Sequence, residues 1–394
     1  MPKVLRIINR FNIGGPTFNA AYLSKYLPNE YETLLIGGEK EDHEESSLHV
    51  LHELGLKPII IPEMRRSINP LNDYFVYRKI KNIIEEFKPD IVHTHAAKAG
   101  TIGRLAAYNA KVPVILHTFH GHVFHSYFNK AKTSVFKNIE RNLAAKSTKI
   151  IAISERQKYE IGTIHRICPP EKIEVVPLGF DLSRFQEDYN KKRKHFRDKY
   201  NIADDEIAVG IIGRIVPIKN HEFFVKAWKE VSDKTSKKIR AFIVGDGEDR
   251  AKIENMAKEL GLSVCTENFE KSECSLTFTS WIKEIDVVNA GVDIVALCSL
   301  NEGTPVSLIE AQAANNPVIS TKVGGVENIV NEGKTGLLSN VGDLEKYSSN
   351  LLELLENDAL RQNMQKAGWE SVREKFHYTR LVKDIDKLYS SLLK

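Results

Sequence analysis

Asp293-Ile294-Val295-Ala296-Leu297-Cys298-Ser299-Leu300-Asn301-Glu302-Gly303-Thr304-Pro305-Val306-Ser307-Leu308-Ile309-Glu310 reads as a strand, a loop and the start of a helix. The stretch 293–297 is apolar without polar alternation, the pattern of a strand covered on both faces in a parallel sheet. Gly303 and Pro305 punctuate the loop, and Ser307 with Glu310 three residues on predicts a capping box for a helix over 307–314. The cap accounts for Glu310. It leaves Glu302 unexplained, a second carboxylate before a glycine in a turn.

The same strand–loop–helix unit recurs on both sides of this passage. Strands are predicted at 207–212, 239–244, 276–278 and 317–320, with helices at 223–231, 251–260 and 344–355. Upstream, 4–8, 33–36, 59–61, 91–93, 114–116, 150–153 and 175–176 form an earlier strand series. The helix predicted over 75–87 stands between two of them and is stopped by Pro89. Two successive series in 394 residues, more than one core usually serves, predict an α/β protein of two doubly wound domains. We place the domains at 1–185 and 186–378, with a charged, apolar-poor hinge near 183–205. The amphipathic stretch 379–392, in the segment 379–394, caps the second domain or returns to brace the first. The two sheets are expected to present their carboxyl ends to a deep cleft, with one ligand on each wall.

Further candidates follow other strands. Gly14 and Gly15 open a helix after the first strand, where paired glycines let backbone amides approach an anion or sugar phosphate. The dinucleotide fingerprint is excluded, because its third glycine is missing. His117, His120, His122 and His125 crowd nine positions after 114–116, with His93 and His95 at a neighbouring strand end. No acidic residue or cysteine completes a metal site there, so hydrogen bonding to a hydroxyl or phosphate is the better role. Gly213-Arg214 and Lys219 bracket a turn able to clamp two phosphates. Gly245-Asp246-Gly247 makes either a bare turn or a place for a flat base. Gly324-Gly325 should pack beside the Glu302 loop. With a helix start near Pro305, Glu302 would reach sugar hydroxyls, Glu310 a ribose diol, and free amides a diphosphate.

In this order and spacing the motifs resemble the GT-B glycosyltransferases of the retaining family 4, with Glu302 and Glu310 at that family's E-x7-E spacing. The resemblance runs over essentially the whole chain and implies two facing Rossmann-like domains. It implies that Gly14 and Gly15 lie against donor phosphates or acceptor and that His120 sits by the transferred sugar. Arg214 and Lys219, after Gly213, would neutralise the leaving diphosphate. Glu302 with Gly303, Thr304, Pro305, Val306 and Leu308 would hold the donor, Gly245 would lie beside it, and Glu310 would take the ribose. It further implies a nucleotide-sugar donor, UDP-linked by family habit, no metal and no cofactor, and a glycan or lipid-phosphate-linked acceptor in polysaccharide or lipopolysaccharide synthesis. Many relatives have Phe-Gly where this chain has Gly303-Thr304, which bears on how the sugar's outer hydroxyls are held.

Composition bounds the partners. Residues 1–185 hold 26 Lys and Arg against 19 Asp and Glu, and residues 186–394 hold 30 against 33. The first half is therefore expected to meet something anionic, a membrane surface or a phosphorylated acceptor. The run Lys191 to Lys194 lacks the interleaved aromatics of a nucleic-acid site. Four cysteines without zinc spacing suit a reducing compartment. With no leader pattern and no spanning segment, the expected location is cytoplasmic, peripheral on the inner face of the plasma membrane. Residues 265–284 are longer than the usual link and are expected to form an edge hairpin. The rival readings are a sugar-nucleotide epimerase, a phosphorylase-like enzyme, or a two-lobed sugar-binding protein.

Overall fold

The computed structural model describes residues 1–12, 14–41, 44, 46–65, 67, 69–120, 130–266 and 274–393, the side chains of 130–132 excepted. They form two compact units, Met1–Phe180 with Phe376–Lys394, and Asp181–Lys375.

The first unit is a seven-stranded parallel sheet. Its strands are β1 (Lys3–Arg10), β2 (Glu32–Gly38), β3 (Ile59–Ile60), β4 (Ile91–His95), β5 (Val114–Phe119), β6 (Lys149–Ala152) and β7 (Ile173–Val175), in the order β3-β2-β1-β4-β5-β6-β7. The helices of this part of the chain are α1 (Gly15–Tyr26), α2 (Leu48–Glu53), α3 (Pro70–Phe87), α4 (Ala97–Asn109), α5 (Lys130–Lys146) and α6 (Glu155–Tyr159). Helix α3 starts five residues before the apolar pattern does. Asn69 caps it by accepting from the amides of Leu71 and Asn72, and Pro70 is pre-shaped for the first turn.

The second unit repeats the plan. It contains α7 (Tyr189–Lys199), β8 (Ile207–Ile212), α8 (His221–Ser232), β9 (Ile239–Val244), α9 (Arg250–Glu259), β10 (Val264–Cys265), β11 (Leu276–Ser280), α10 (Ile285–Gly291), β12 (Ile294–Leu297), α11 (Val306–Ala313), β13 (Val318–Thr321), β14 (Gly336–Ser339), α12 (Leu344–Glu356) and α13 (Asp358–Phe376). The strand order is β10-β11-β9-β8-β12-β13-β14, again all parallel. Trp228, Phe224, Phe278 and Tyr347 are buried in its core.

The last helix, α14 (Tyr378–Leu392), belongs to the first unit. Leu381, Ile385, Leu388 and Tyr389 lie on one stripe and pack with Val4, Leu23, Ile91 and Val114. The first unit's main segment ends at Phe180, before the expected boundary at 185. The short turn Ser183–Phe185 belongs to the second unit, where Arg184 approaches Glu310 at 3.8 Å.

Two expectations are corrected. Strands β10 and β11 pair in parallel, so they are not the two arms of a hairpin, and residues 267–273 between them lie outside the described residues. Cys265 and Cys274, read as thiols of a reducing compartment, are joined in a disulfide with Cα atoms 5.8 Å apart, while Cys168 and Cys298 are free and buried.

Candidate functional site

In a doubly wound sheet the strand order reverses at one point, and the loops on either side of it diverge to leave a crevice at the carboxyl edge. In the second unit that point lies between β8 and β12. Lys219 follows β8 and Glu302 follows β12. They meet there, Lys219 Nζ to Glu302 Oε1 at 2.6 Å. Ser299 Oγ donates to the same oxygen at 2.6 Å. Main-chain bonding ties the loops together, with the Leu300 amide on the Ile218 carbonyl at 2.8 Å. Glu302 is thus a fixed carboxylate with only 11% of its side chain exposed. Arg214, on the same loop as Lys219, is exposed and has no ion-pair partner among the described residues.

Glycines bring these loops together. Gly324, after β13, has φ +53, and a Cβ there would lie 1.6 Å from the Glu302 carbonyl oxygen. A Cβ on Gly325 would lie 2.1 Å from the Gly303 oxygen. Gly245 has φ +144 and abuts the Gly213 carbonyl, while Gly247 abuts that of Ile215. Of the two roles open to the Gly245–Gly247 turn, close packing of neighbouring loops therefore accounts for both glycines without a flat base.

Helix α11 corrects the capping box. It begins at Val306 with Pro305 at the cap, so Ser307 lies inside the first turn and no side chain caps the start. Proline, with its fixed φ and no N–H, starts this helix in place of serine. Leu308 is fully buried, and its amide is taken by the Pro305 carbonyl at 3.2 Å. It packs the core and offers a donor no free polar group. Thr304, Val306 and Gly303 stay on the loop and first turn. Glu310 lies deeper in the helix. Burial pushes its carboxyl up to about 7, opposed by Arg184 and reinforced by Asp286.

In the first unit the reversal falls between β1 and β4. Gly14 and Gly15 follow β1, and the Gly14 carbonyl accepts from the amides of Thr17 and Phe18. Among the described residues a Cβ at Gly14 would meet only Pro16, at 3.7 Å, an ordinary contact. Beside it, β4 and β5 end in a stack of imidazoles. His93 bonds the Tyr389 hydroxyl through Nδ1 and the Thr118 hydroxyl through Nε2, each at 2.7 Å. Its ring stacks on His95 at 4.3 Å, and His95 Nδ1 lies 2.9 Å from His120 Nε2. His117 turns aside to Thr94. Burial holds all four well below the ordinary histidine range, His120 at about 3, so each is a neutral imidazole. His122 and His125 lie outside the described residues. Among the described residues no three His, Cys, Asp or Glu converge as metal ligands.

Sequence reasoning had no signal for Arg184, Ser299 as a partner of Glu302, or Tyr389. Ser299 stands only three residues before Glu302, while Arg184 and Tyr389 act through contacts that only the folded chain creates, Tyr389 across 296 residues.

Two family models match the chain. That described as Glycosyltransferase Family 4 covers residues 13–184, and that described as Glycosyl transferases group 1 covers 192–370. A UDP-Gal:alpha-D-GlcNAc-diphosphoundecaprenol alpha-1,3-galactosyltransferase of Escherichia coli is 29% identical, over 86% of this chain and 84% of that protein. The capsular polysaccharide biosynthesis glycosyltransferase CapM of Staphylococcus aureus is 26% identical over 85% of each. The crystal structure of Anabaena HepE in complex with UDP-glucose has the same fold, with a TM-score of 0.80 and 19% identity over 99% of both chains.

Proposed function

We propose a specific reaction for this chain, which belongs to the GT-B-fold glycosyltransferases of family 4 and group 1 and acts on nucleotide sugars. It moves a hexose or N-acetylhexosamine from a UDP-sugar, with retention at the anomeric carbon, to a glycan or lipid-linked acceptor in cell-surface polysaccharide synthesis. The observation that carries this reading is the Lys219–Glu302 pair at the sheet's reversal point, with Arg214, which has no ion-pair partner among the described residues, on the same loop. The E. coli relative, named for UDP-Gal and a diphosphoundecaprenol-linked acceptor, supports the donor and acceptor classes.

Breaking the anomeric carbon–phosphate oxygen bond puts positive charge on the sugar and negative charge on the departing diphosphate. Arg214, the Lys219 ammonium and the uncapped start of α11 would stabilise that phosphate. Fixed charges and dipoles aimed at a developing charge usually lower a barrier more than any other single effect. Lys219 has three donors, so it can keep Glu302 while meeting an oxygen. Glu302 holds the sugar through its hydroxyls. The acceptor oxygen forms its bond on the face the phosphate leaves, and its proton passes to the departing phosphate oxygen. Gly14 and Gly15 lie against phosphates or acceptor, and His120 lies by the sugar. A nucleotide-sugar panel followed by proton NMR of the product tests the assignment. An axial anomeric proton coupling from an α-linked donor, meaning inversion, would contradict it.

We also place an anionic membrane surface on the outer face of α4 and α5. Residues 97–111 and 130–149 hold nine Lys and Arg against Glu140, in a chain of net +4; Arg104 is buried and Lys98 pairs with Asp73 at 2.6 Å, which leaves seven cations. Glu140 is itself buried against Arg104 at 2.7 Å. Leu105, Tyr108, Val135 and Ile139 stand exposed among these cations. At the carboxyl ends of the two helices, Tyr108, Lys111 and Lys146 line a cavity of about 560 Å³. Apolar side chains set among cations suit an anionic bilayer. Among the described residues no helix is long and apolar enough to cross one. Sedimentation with phosphatidylglycerol vesicles should be lost in a Lys111→Glu/Lys146→Glu variant and absent with phosphatidylcholine alone. Undiminished sedimentation of the variant would contradict the placement.

A further inference from the structure

Beyond the groups that touch donor or acceptor, one side chain of the first unit has a geometry suited to setting how His120 acts. His95 ends β4 fully buried, and its Nδ1 lies 2.9 Å from His120 Nε2. We infer that His95 is the positioning residue for His120, holding its ring so that Nδ1, and never Nε2, is the nitrogen offered to the transferred sugar.

Buried polar atoms nearly always have a partner, and the exceptions gather where a ligand completes them. His120 Nδ1 and His95 Nε2 are both buried without a partner among the described residues. His117 Nε2 is too, but the His117 ring is wedged against α4, where a Cβ on Gly100 would lie 2.3 Å from its Cε1. That ring is packed in place. The His95–His120 pair is instead held from behind. His93 stacks on His95, and hydroxyls on both sides clamp His93, one of them Tyr389 from α14. Arg6 lies beside that hydroxyl at 3.4 Å, with no ion pair among the described residues.

A neutral imidazole has one donor and one acceptor nitrogen. Between two neutral rings only one of the facing nitrogens carries hydrogen. If His95 Nδ1 donates, His120 must carry its own hydrogen on Nδ1 and presents a donor. If His120 Nε2 donates, Nδ1 is bare and presents an acceptor. Either way His95 occupies Nε2, and the tautomer of the pair fixes what the sugar hydroxyl meets. The fixed ring also reaches the transition state with no reorganisation of its own, which is where preorganised hydrogen bonds act most.

The inference rests on the reading that His120 lies by the transferred sugar, and a double-mutant cycle separates the two. His95→Asn, whose amide takes the place of Nδ1, should keep kcat within threefold of the parent. His95→Gln and His95→Leu should lower kcat at least tenfold while the Kd for UDP moves less than twofold. Adding His95→Leu to His120→Ala should cost nothing further, because the positioned group is already gone. Multiplying losses, or His95→Asn as slow as His95→Gln, would overturn the positioning role while leaving His120 at the sugar. Unchanged turnover in His120→Ala would overturn both. Should His95→Leu fail to fold, the Asn and Gln pair, equal in bulk to within a methylene, still decides.

Discussion

Glu302 and Glu310 are the same residue type in one loop–helix passage, yet their surroundings give them opposite characters. Glu302 bonds an ammonium and a hydroxyl. Glu310 is half-buried, with Arg184 farther off at 3.8 Å and Asp286 acting on it as a second negative charge, and desolvation pushes its carboxyl up to about 7. In the unfolded chain it titrates near the ordinary glutamate value, about 4.3. Because the folded value is higher, its contribution to stability is full below that ordinary value and is lost as pH rises through 7. Glu310→Gln should therefore flatten the fall in urea midpoint between pH 5 and 8, with a gain at pH 8 of at most about 4 kcal/mol. If Glu310 accepts from a ribose diol as a carboxylate, nucleotide affinity should run the other way. Kd should rise as pH drops from 8 to 6 in the parent and stay flat in the variant, as titration calorimetry would read. Of these features the sequence showed the spacing of the two carboxylates. It could not show how closely each meets a cation, because Arg184 and Lys219 come from distant loops.

Among the elements, strands were legible wherever an apolar run stood without alternation. The ranges 207–212 and 239–244 are those observed for β8 and β9. Strands β10 and β14, two and four residues long, escaped, and β14 opens on a glycine lodged under the Val318 carbonyl. Helix α13 escaped because its buried residues, Met364, Val372 and Phe376, are sparse among charged ones. The loops were legible as punctuation only. What their glycines do is visible in the backbone contacts, and Gly324 makes the sharpest case. Gly324→Ala forces the Glu302 carbonyl away and strains a positive φ, so kcat should fall at least tenfold, with a stability loss of about 1–3 kcal/mol by thermal unfolding. Gly261, which has φ +76 but open space around it, should tolerate alanine with only the small strain cost and full activity.

For the chain in its entirety, two doubly wound sheets follow from the alternation of patterns, but the return of α14 was open between two docks. Its buried stripe settles which core it joins, since Leu381, Ile385 and Tyr389 pack with the first unit's strands. Ile385→Ala should destabilise by about 2–5 kcal/mol. The loss should appear as early exchange of first-unit amides while the second unit stays protected, as hydrogen exchange read by mass spectrometry would show.

The proposed chemistry stands or falls on whether the loops around the reversal point of the second sheet hold a nucleotide diphosphate through Arg214 and Lys219. Calorimetric titration of UDP into the parent, Arg214→Ala and Lys219→Ala proteins decides this. Binding should be at least tenfold weaker in each variant, with thermal midpoints kept within a few degrees of the parent. Parent-like affinity in both variants would leave the departing phosphate without its cations and refute the site.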